Sequence, residues 1–238
     1  MRLAFISDVH GNAIALEAVL KDLEEKKVDK VFVLGDLCYR GPEPKRSLEL
    51  VQSINCQVVK GNADEWVVRG VAEGEVPGQA LEMMRQEREW TYSHLSENDV
   101  GYLQALPTEI VTTIEGVKIH AFHATPNSLF EVVVPFAEDD VIQEKLMERE
   151  ADLYLYGHIH TPYIRFLNGK AVVNLGSVGL PFDGLNQASY SLVDIENGSI
   201  QASIVRVKYD LDKVMDMLQT SDYPNKEFLV NVWRNGRL

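Results

Sequence analysis

The chain has 238 residues, 45% of them hydrophobic and 25% charged, and a formal net charge of −13. That is enough for one large or two small soluble domains with a sizeable core. No run of about eighteen apolar residues occurs, which excludes a membrane-spanning helix.

The charge is uneven. Residues 64–115 hold eleven Asp and Glu against three Arg and no Lys. Such a surface repels phosphate backbones and anionic membranes, so no bulk nucleic-acid binding and no membrane partner is expected. A small phosphorylated substrate drawn to a local cation stays compatible with it. Asp8 and His10 interrupt what would be the apolar core of a signal peptide, so a cytoplasmic location is expected. Cys38 and Cys56 follow neither disulfide nor zinc spacing and read as small buried residues in a reducing compartment.

In chain order, Leu3 to Ile6 reads as a buried strand, followed by a helix with Ile14, Leu16, Val19, Leu20 and Leu23 on one face and Asn12 as its cap. Lys30 to Leu34 is a short strand ending at Gly35-Asp36, and Lys45 to Ile54 a helix behind Gly41-Pro42-Glu43-Pro44. Cys56 to Val59 is a third strand, ending at Gly61-Asn62. This alternation predicts a mostly parallel sheet flanked by helices.

Residues 64–107 break the pattern. They are acidic, carry Trp66, Trp90, Tyr92 and Tyr102, and read as two or three helices inserted over one edge of the sheet. Strands resume with Ile110 to Ile114 and Val117 to Phe122, the latter ending at His123. A helix over Asp139 to Arg149 precedes the strand Asp152 to Tyr156, which ends at Gly157-His158-Ile159-His160. Two hairpins follow, Tyr163–Leu175 and Ser189–Val207, each with an Asn-Gly turn. A closing helix over Asp210 to Leu218 and a packed tail with Tyr223, Phe228 and Trp233 complete residues 208–238 of a single expected domain, 1–238.

Five strand ends thus carry possible ligands: Asp8 and His10, Asp36, Asn62, His123, and His158 with His160. In open α/β sheets, ligands bind outside the carboxyl ends of the strands. Carboxylates, an amide and imidazoles without a thiolate suit manganese, iron, zinc or nickel better than a structural zinc site. Seven donors exceed the needs of one ion, so two ions sharing a bridging carboxylate are expected. Taken singly, Gly35-Asp36 and Gly61-Asn62 are ordinary turns and a histidine at a strand end is an ordinary surface residue; repetition at five strand ends carries the argument. His120 points to the opposite face from His123, and His94 lies within the helical insertion, so neither joins the set.

Asp8-x-His10, Gly35-Asp36, Gly61-Asn62-x-Asp64, His123 and Gly157-His158-x-His160 resemble the successive motifs of the calcineurin-like metallophosphoesterase superfamily, in its order. Asn174 to Gly179 followed by Asp183-Gly184 resembles a segment of its small single-domain bacterial and archaeal members, the phosphodiesterase type. The resemblance implies a four-layer α/β/β/α sandwich with a dinuclear site at its top edge. Asp8, His10 and His160 would hold one ion and Asn62, His123 and His158 the other, with Asp36 bridging. A metal-bridging hydroxide would then attack phosphorus in line.

Gly35 to Pro42 resembles the stretch in the protein-phosphatase and dinucleoside-polyphosphate hydrolase branches in which an arginine grips substrate phosphate, a role Arg40 could take. The plainer alternative is an exposed arginine after a loop. One position departs from the family pattern: the usual Gly-Asn-His-Asp/Glu is here Gly61-Asn62-Ala63-Asp64. Ala63 cannot protonate a leaving group, and Asp64, without a histidine to orient, is free to cap the next helix.

The leading expectation is a phosphodiesterase acting on small or nucleotide-like substrates. The alternatives are a phosphomonoesterase, protein phosphatase or dinucleoside-polyphosphate hydrolase, and a non-catalytic binding scaffold. The sequence leaves the oligomeric state open.

Overall fold

In the computed structural model, which describes residues 1–237, the chain runs β1 (Arg2–Ile6), α1 (Ala13–Glu25), β2 (Lys30–Val33), α2 (Pro44–Ser53), β3 (Gln57–Val58) and α3 (Asn62–Arg69). It continues α4 (Gly78–Ser93), α5 (Glu97–Ala105), β4 (Glu109–Ile114), β5 (Val117–Phe122), α6 (Asp139–Leu146) and β6 (Leu153–Tyr156). The remainder is β7 (Tyr163–Leu167), β8 (Lys170–Asn174), β9 (Ala188–Glu196), β10 (Ser199–Val207), α7 (Leu211–Thr220) and α8 (Lys226–Asn235).

The strands form two five-stranded sheets, ordered β10-β9-β1-β2-β3 and β4-β5-β6-β8-β7. β1 shows why they stack. Leu3 and Phe5 face the second sheet, together with Ile119, Leu153, Leu155 and Val173. Ala4 and Ile6 face the other way, against Ala15, Leu16 and Val19 of α1. A strand apolar on both faces must be covered on both. On the outer face of the second sheet Tyr154, Tyr156 and Val172 pack against Ile142 and Leu146 of α6. The layers are therefore helix, sheet, sheet, helix, as the resemblance implies.

Several expectations need correction. The first three strands are parallel as their alternation predicts, and so are β5-β6 and β6-β8, but each sheet as a whole is mixed: hairpins β4-β5, β7-β8 and β9-β10 and the β1-β9 pair are antiparallel. The inserted helices lie on the outer face of the first sheet rather than over its edge, since Trp66, Val67, Met84 and Leu103 share a core with Val33 and Leu48. They also begin two residues early, with Asn62 in the first turn of α3. α6 stops at Leu146 rather than Arg149. Cys56 is only half-buried, whereas Cys38 is fully buried, and both are free thiols. No helix among the described residues is long and apolar enough to cross a membrane.

The tail is more than a packed coil. Its last segment is α8, ended by Gly236 in the left-handed region at φ 65°. Leu229, Val232 and Trp233 are buried with Ile14 of α1 and Leu180. The Trp233 indole donates from Nε1 to the Gly179 carbonyl at 2.8 Å, and Gly184 N donates to Gly236 O at 2.7 Å. Trp233→Ala is expected to cost ~3–5 kcal/mol, read as a lower urea midpoint with an unchanged slope. A loss under about 1 kcal/mol would mean that α8 lies outside the cooperative core.

Candidate metal centre

The ends of β1, β2, β3, β5 and β6 open on one rim, and short backbone bonds tie the loops there to one another. Asp8 N donates to Gly35 O at 3.0 Å, His10 N to Asp36 O at 2.9 Å and Gly157 N to His123 O at 2.9 Å. All seven expected ligand residues come together at this rim. Asp8, His10, Asp36, Asn62, His123 and His160 are buried and His158 is nearly so.

The imidazoles are oriented from behind. Nδ1 of His10 faces Tyr39 O at 2.8 Å, Nδ1 of His123 faces Leu34 O at 2.7 Å, and Nδ1 of His160 faces Leu180 O at 2.5 Å. A carbonyl only accepts, so each Nδ1 carries a proton, and in the neutral ring each Nε2 presents a lone pair to the centre. His158 is turned the other way, with Nδ1 2.8 Å from Asn62 Oδ1.

Acceptors therefore confront acceptors. His10 Nε2 and His160 Nε2 are 3.1 Å apart, and His160 Nε2 is 3.0 Å from Asp8 Oδ1. Asp8 Oδ1 is buried and accepts no hydrogen bond. His123 Nε2 lies 2.8 Å from Asn62 Oδ1. Donor atoms of Asp8, His10, Asp36 and His160 all lie within 4.8 Å of one another. A cation is the natural partner of such a set, and mixed oxygen and imidazole donors fit a divalent one. Asp36 stands between the two groups of ligands, its Oδ2 3.5 Å from both His10 Nε2 and His123 Nε2.

The protein's own charges respond to this crowding. Burial pushes the Asp36 carboxyl up to about 7, Asp8 and Asp64 add to it and His123 opposes it. Burial and His160 push His10 down to about 3, and burial and His123 do the same to His158. Asp8 moves the other way: burial resists its charge, but His160, His123 and His10 hold it well below the usual carboxylate range.

Five of the seven residues sit in the left-handed backbone region: Asp8 at φ 58°, His10 at 48°, Asp36 at 56°, His158 at 66° and His160 at 54°. Non-glycine residues rarely adopt it, and clusters of such positions mark functional sites.

Residues that the sequence reading passed over support the rim from outside. Ser177 Oγ donates to Asp8 O at 2.7 Å, Gly179 N donates to the same oxygen at 3.0 Å, and Asn174 Nδ2 donates to Gly157 O at 2.6 Å. The Asn174–Gly179 likeness was the available signal. Asp64 does more than cap α3. It accepts from Gly61 N, as a helix cap would, and also from Asp36 N and Leu37 N at 2.8 and 2.9 Å, pinning the Asp36 loop. His120 bonds Glu109 on the far face of β5, and His94 bonds Trp90 O in α4; neither reaches the centre.

Arg40 is half-buried rather than fully exposed. It lines a cavity of ≈ 130 Å³ with His10, Asp36, Asn62, Ala63 and His158, below the usual size of a whole-ligand pocket. Trp66, Met84, Leu180 and Phe182 form its apolar wall, and Phe182 stacks on His160 at 4.3 Å. A wider cleft of ≈ 810 Å³ at the start of β1, around Arg2, Asp29 and Asp194, contains none of the strand-end residues, so volume alone does not locate the chemistry.

The profile of the calcineurin-like phosphoesterase superfamily domain matches residues 1–198. The uncharacterized protein MJ0912 of Methanocaldococcus jannaschii is 31% identical over 243 residues, covering 93% of each chain. The crystal structure of a metallophosphoesterase from Sphaerobacter thermophilus superposes with a TM-score of 0.80 at 25% identity, over 99% of both chains. That of the hypothetical protein PH1004 from Pyrococcus horikoshii gives 0.84 at 21% identity, over 99% of this chain and 98% of that one. With its strand-end Asp/His cluster, this chain belongs to the calcineurin-like phosphoesterase superfamily, a membership that supports phosphoester hydrolysis.

Proposed function

We propose that the protein is a dinuclear-metal phosphodiesterase acting on small or nucleotide-like diesters. The observation that carries this reading is the placement of Asp36 Oδ2 at 3.5 Å from the Nε2 atoms of both His10 and His123. Asp8, His10 and His160 would hold one divalent ion, Asn62, His123 and His158 the second, and Asp36 both. Two such ions, of manganese, iron, zinc or nickel, would clamp phosphoryl oxygens and make bound water nucleophilic near neutral pH.

The chain's own residues do the rest. Tyr39, Leu34 and Leu180 carbonyls fix three imidazoles, so these three need not reorganise as charge develops. Arg40 places a guanidinium at the cavity beside the cluster, where it would bind a phosphoryl oxygen pair. The choice of a diester rests on what is missing. Ala63 contributes only a methyl and its backbone N–H, which donates to Asp36 Oδ1 at 2.8 Å. Outside the cluster the cavity offers no proton donor near neutrality: the Tyr39 hydroxyl is bonded to Met84 O, and burial pushes it far above its usual range. Without a general acid, leaving groups that depart as stable anions are favoured. Trp66 and Phe182 offer a flat apolar wall to such a group. The net charge of −13 argues for small substrates over long nucleic acids.

Arg40 favours a second reading, phosphomonoester or nucleoside-polyphosphate hydrolysis, because a terminal phosphoryl group offers it more charge. Comparing bis-p-nitrophenyl phosphate with p-nitrophenyl phosphate on the manganese-loaded protein separates the two. Diester preference is expected; monoester preference would overturn the first reading in favour of the second. A binding scaffold would hydrolyse neither and would purify without stoichiometric metal.

Two variants test the centre itself. Asp36→Asn is expected to lose nearly all activity with its far-UV spectrum unchanged; retention of more than about a tenth of the rate, a barrier change under about 1.4 kcal/mol, would contradict the bridging role. Gly61 has no room for a side chain, since an added Cβ would lie 2.1 Å from Asp36 Oδ1. Gly61→Ala should therefore fold but show less than about half the wild-type rise in Tm on adding manganese. An undiminished rise would mean that the Asp36 position is unimportant for metal.

A further inference from the structure

We infer that the C-terminal helix α8 is part of the substrate site: Phe228 and Asn225, the latter through Glu87 of α4, are positioning residues that set the Arg40 guanidinium against the metal cluster. The inference rests on the proposed phosphoesterase reading, and concerns a segment beyond residue 198, where the family match ends.

Arg40 leaves the rim in an unusual posture. Its backbone is left-handed, at φ 70°, immediately after Tyr39, whose carbonyl orients His10. The loop cannot slide, because a Cβ on Gly41 would lie 1.9 Å from His10 O, and Glu43 N donates to Gly11 O at 2.9 Å. The base of the side chain is therefore fixed relative to a candidate metal ligand.

Its far end is fixed by helices from two other parts of the chain. Arg40 Nε donates to Glu87 Oε2 at 2.9 Å. Glu87 is completely buried, a costly place for a carboxylate unless its oxygens are satisfied. Tyr39 OH, bonded to Met84 O at 2.9 Å, lies 3.3 Å from the same oxygen, and Asn225 Nδ2, just before α8, donates to Oε1 at 2.8 Å. The Phe228 ring lies under the guanidinium, 4.8 Å from Cζ to its centroid. One edge of the guanidinium is thus held by Glu87 and one face by Phe228. Nη1 and Nη2 donate to no described residue, so two donors of a residue that lines the cavity stay free. Planar, fixed donors of this kind match a phosphoryl oxygen pair.

The same helix braces the opposite wall. Trp233 bonds the Gly179 carbonyl one residue before Leu180, whose carbonyl orients His160, and Phe182 of that loop stacks on the His160 ring. α8 therefore stands behind both walls of the cavity, through Arg40 on one side and the Gly179–Leu180 loop on the other.

The test is coupling to Arg40. Orthophosphate binding to the manganese-loaded full chain is measured by calorimetry for the wild type, Phe228→Leu, Arg40→Ala and the double variant, with KM and kcat for the diester alongside. Phe228→Leu is expected to weaken orthophosphate about fivefold, the scale of a lost cation–π contact, and to raise KM more than it lowers kcat. Phe228→Tyr, which keeps the ring, should restore both. In the Arg40→Ala background Phe228→Leu should have no further effect. Glu87→Gln, which keeps the shape but not the charge, should behave in the same coupled way and carries the test if Phe228→Leu fails to fold. Effects that add to those of Arg40→Ala, or a wild type that binds no orthophosphate, would overturn the inference. Coupled orthophosphate binding without hydrolysis of any ester would leave it standing and defeat the phosphoesterase reading instead.

Discussion

The structure turns on a confrontation of lone pairs. Three imidazoles spend an N–H on backbone carbonyls behind them, so that in their neutral form His10, His123 and His160 each turn a lone pair on Nε2 to a buried space already holding Asp8, Asp36 and Asn62. Burial raises the cost of that conflict. A divalent cation satisfies all of these atoms at once. The carbonyls, not the ligands, set the arrangement: remove the bond from Leu34 O and the His123 ring is free to present either nitrogen.

Holding such a set in place falls to the backbone. Asp8, His10, Asp36, His158 and His160 all lie in left-handed conformations that elsewhere in this chain, as at Asn168 and Asn197, belong to tight turns. The two sheets supply the rigidity. Their parallel strands bring five carboxyl ends to one rim, while the hairpins and the β1-β9 pair close the sheets around it. Asp64 then ties the start of α3 to the Asp36 loop, so that the inserted helices are anchored to the centre instead of merely covering a face.

Much of this was legible in the sequence because it depends on local pattern. Short apolar runs ending in Asp, Asn or His gave the strands and the residues that meet at the rim, and the Asn-Gly pairs at 168–169 and 197–198 gave two of the hairpins. What the sequence hid depends on long-range contact. Gly61 read as a turn residue and Gly157 as the end of a strand, yet a side chain at either would strike a carboxylate, of Asp36 at 2.1 Å or Asp8 at 2.4 Å. Arg40 read equally well as a surface residue because Glu87 and Phe228, which enclose it, lie 47 residues on and in the tail respectively. The mixed character of the first sheet stayed hidden because its first three strands alternate with helices and pair in parallel, and nothing local announces that β9 returns beside β1. The terminal helix α8 was read as a tail because its apolar positions answer to Ile14 and Leu180 rather than to a neighbouring repeat.

The central claim is that two cations share Asp36, and anomalous diffraction from manganese-soaked crystals tests it most directly. Two peaks about 3.5–4 Å apart are expected, one beside Asp8, His10 and His160 and one beside Asn62, His123 and His158, with the Asp36 carboxylate between them. A single peak, or a pair that leaves Asp36 to one side, would contradict the account.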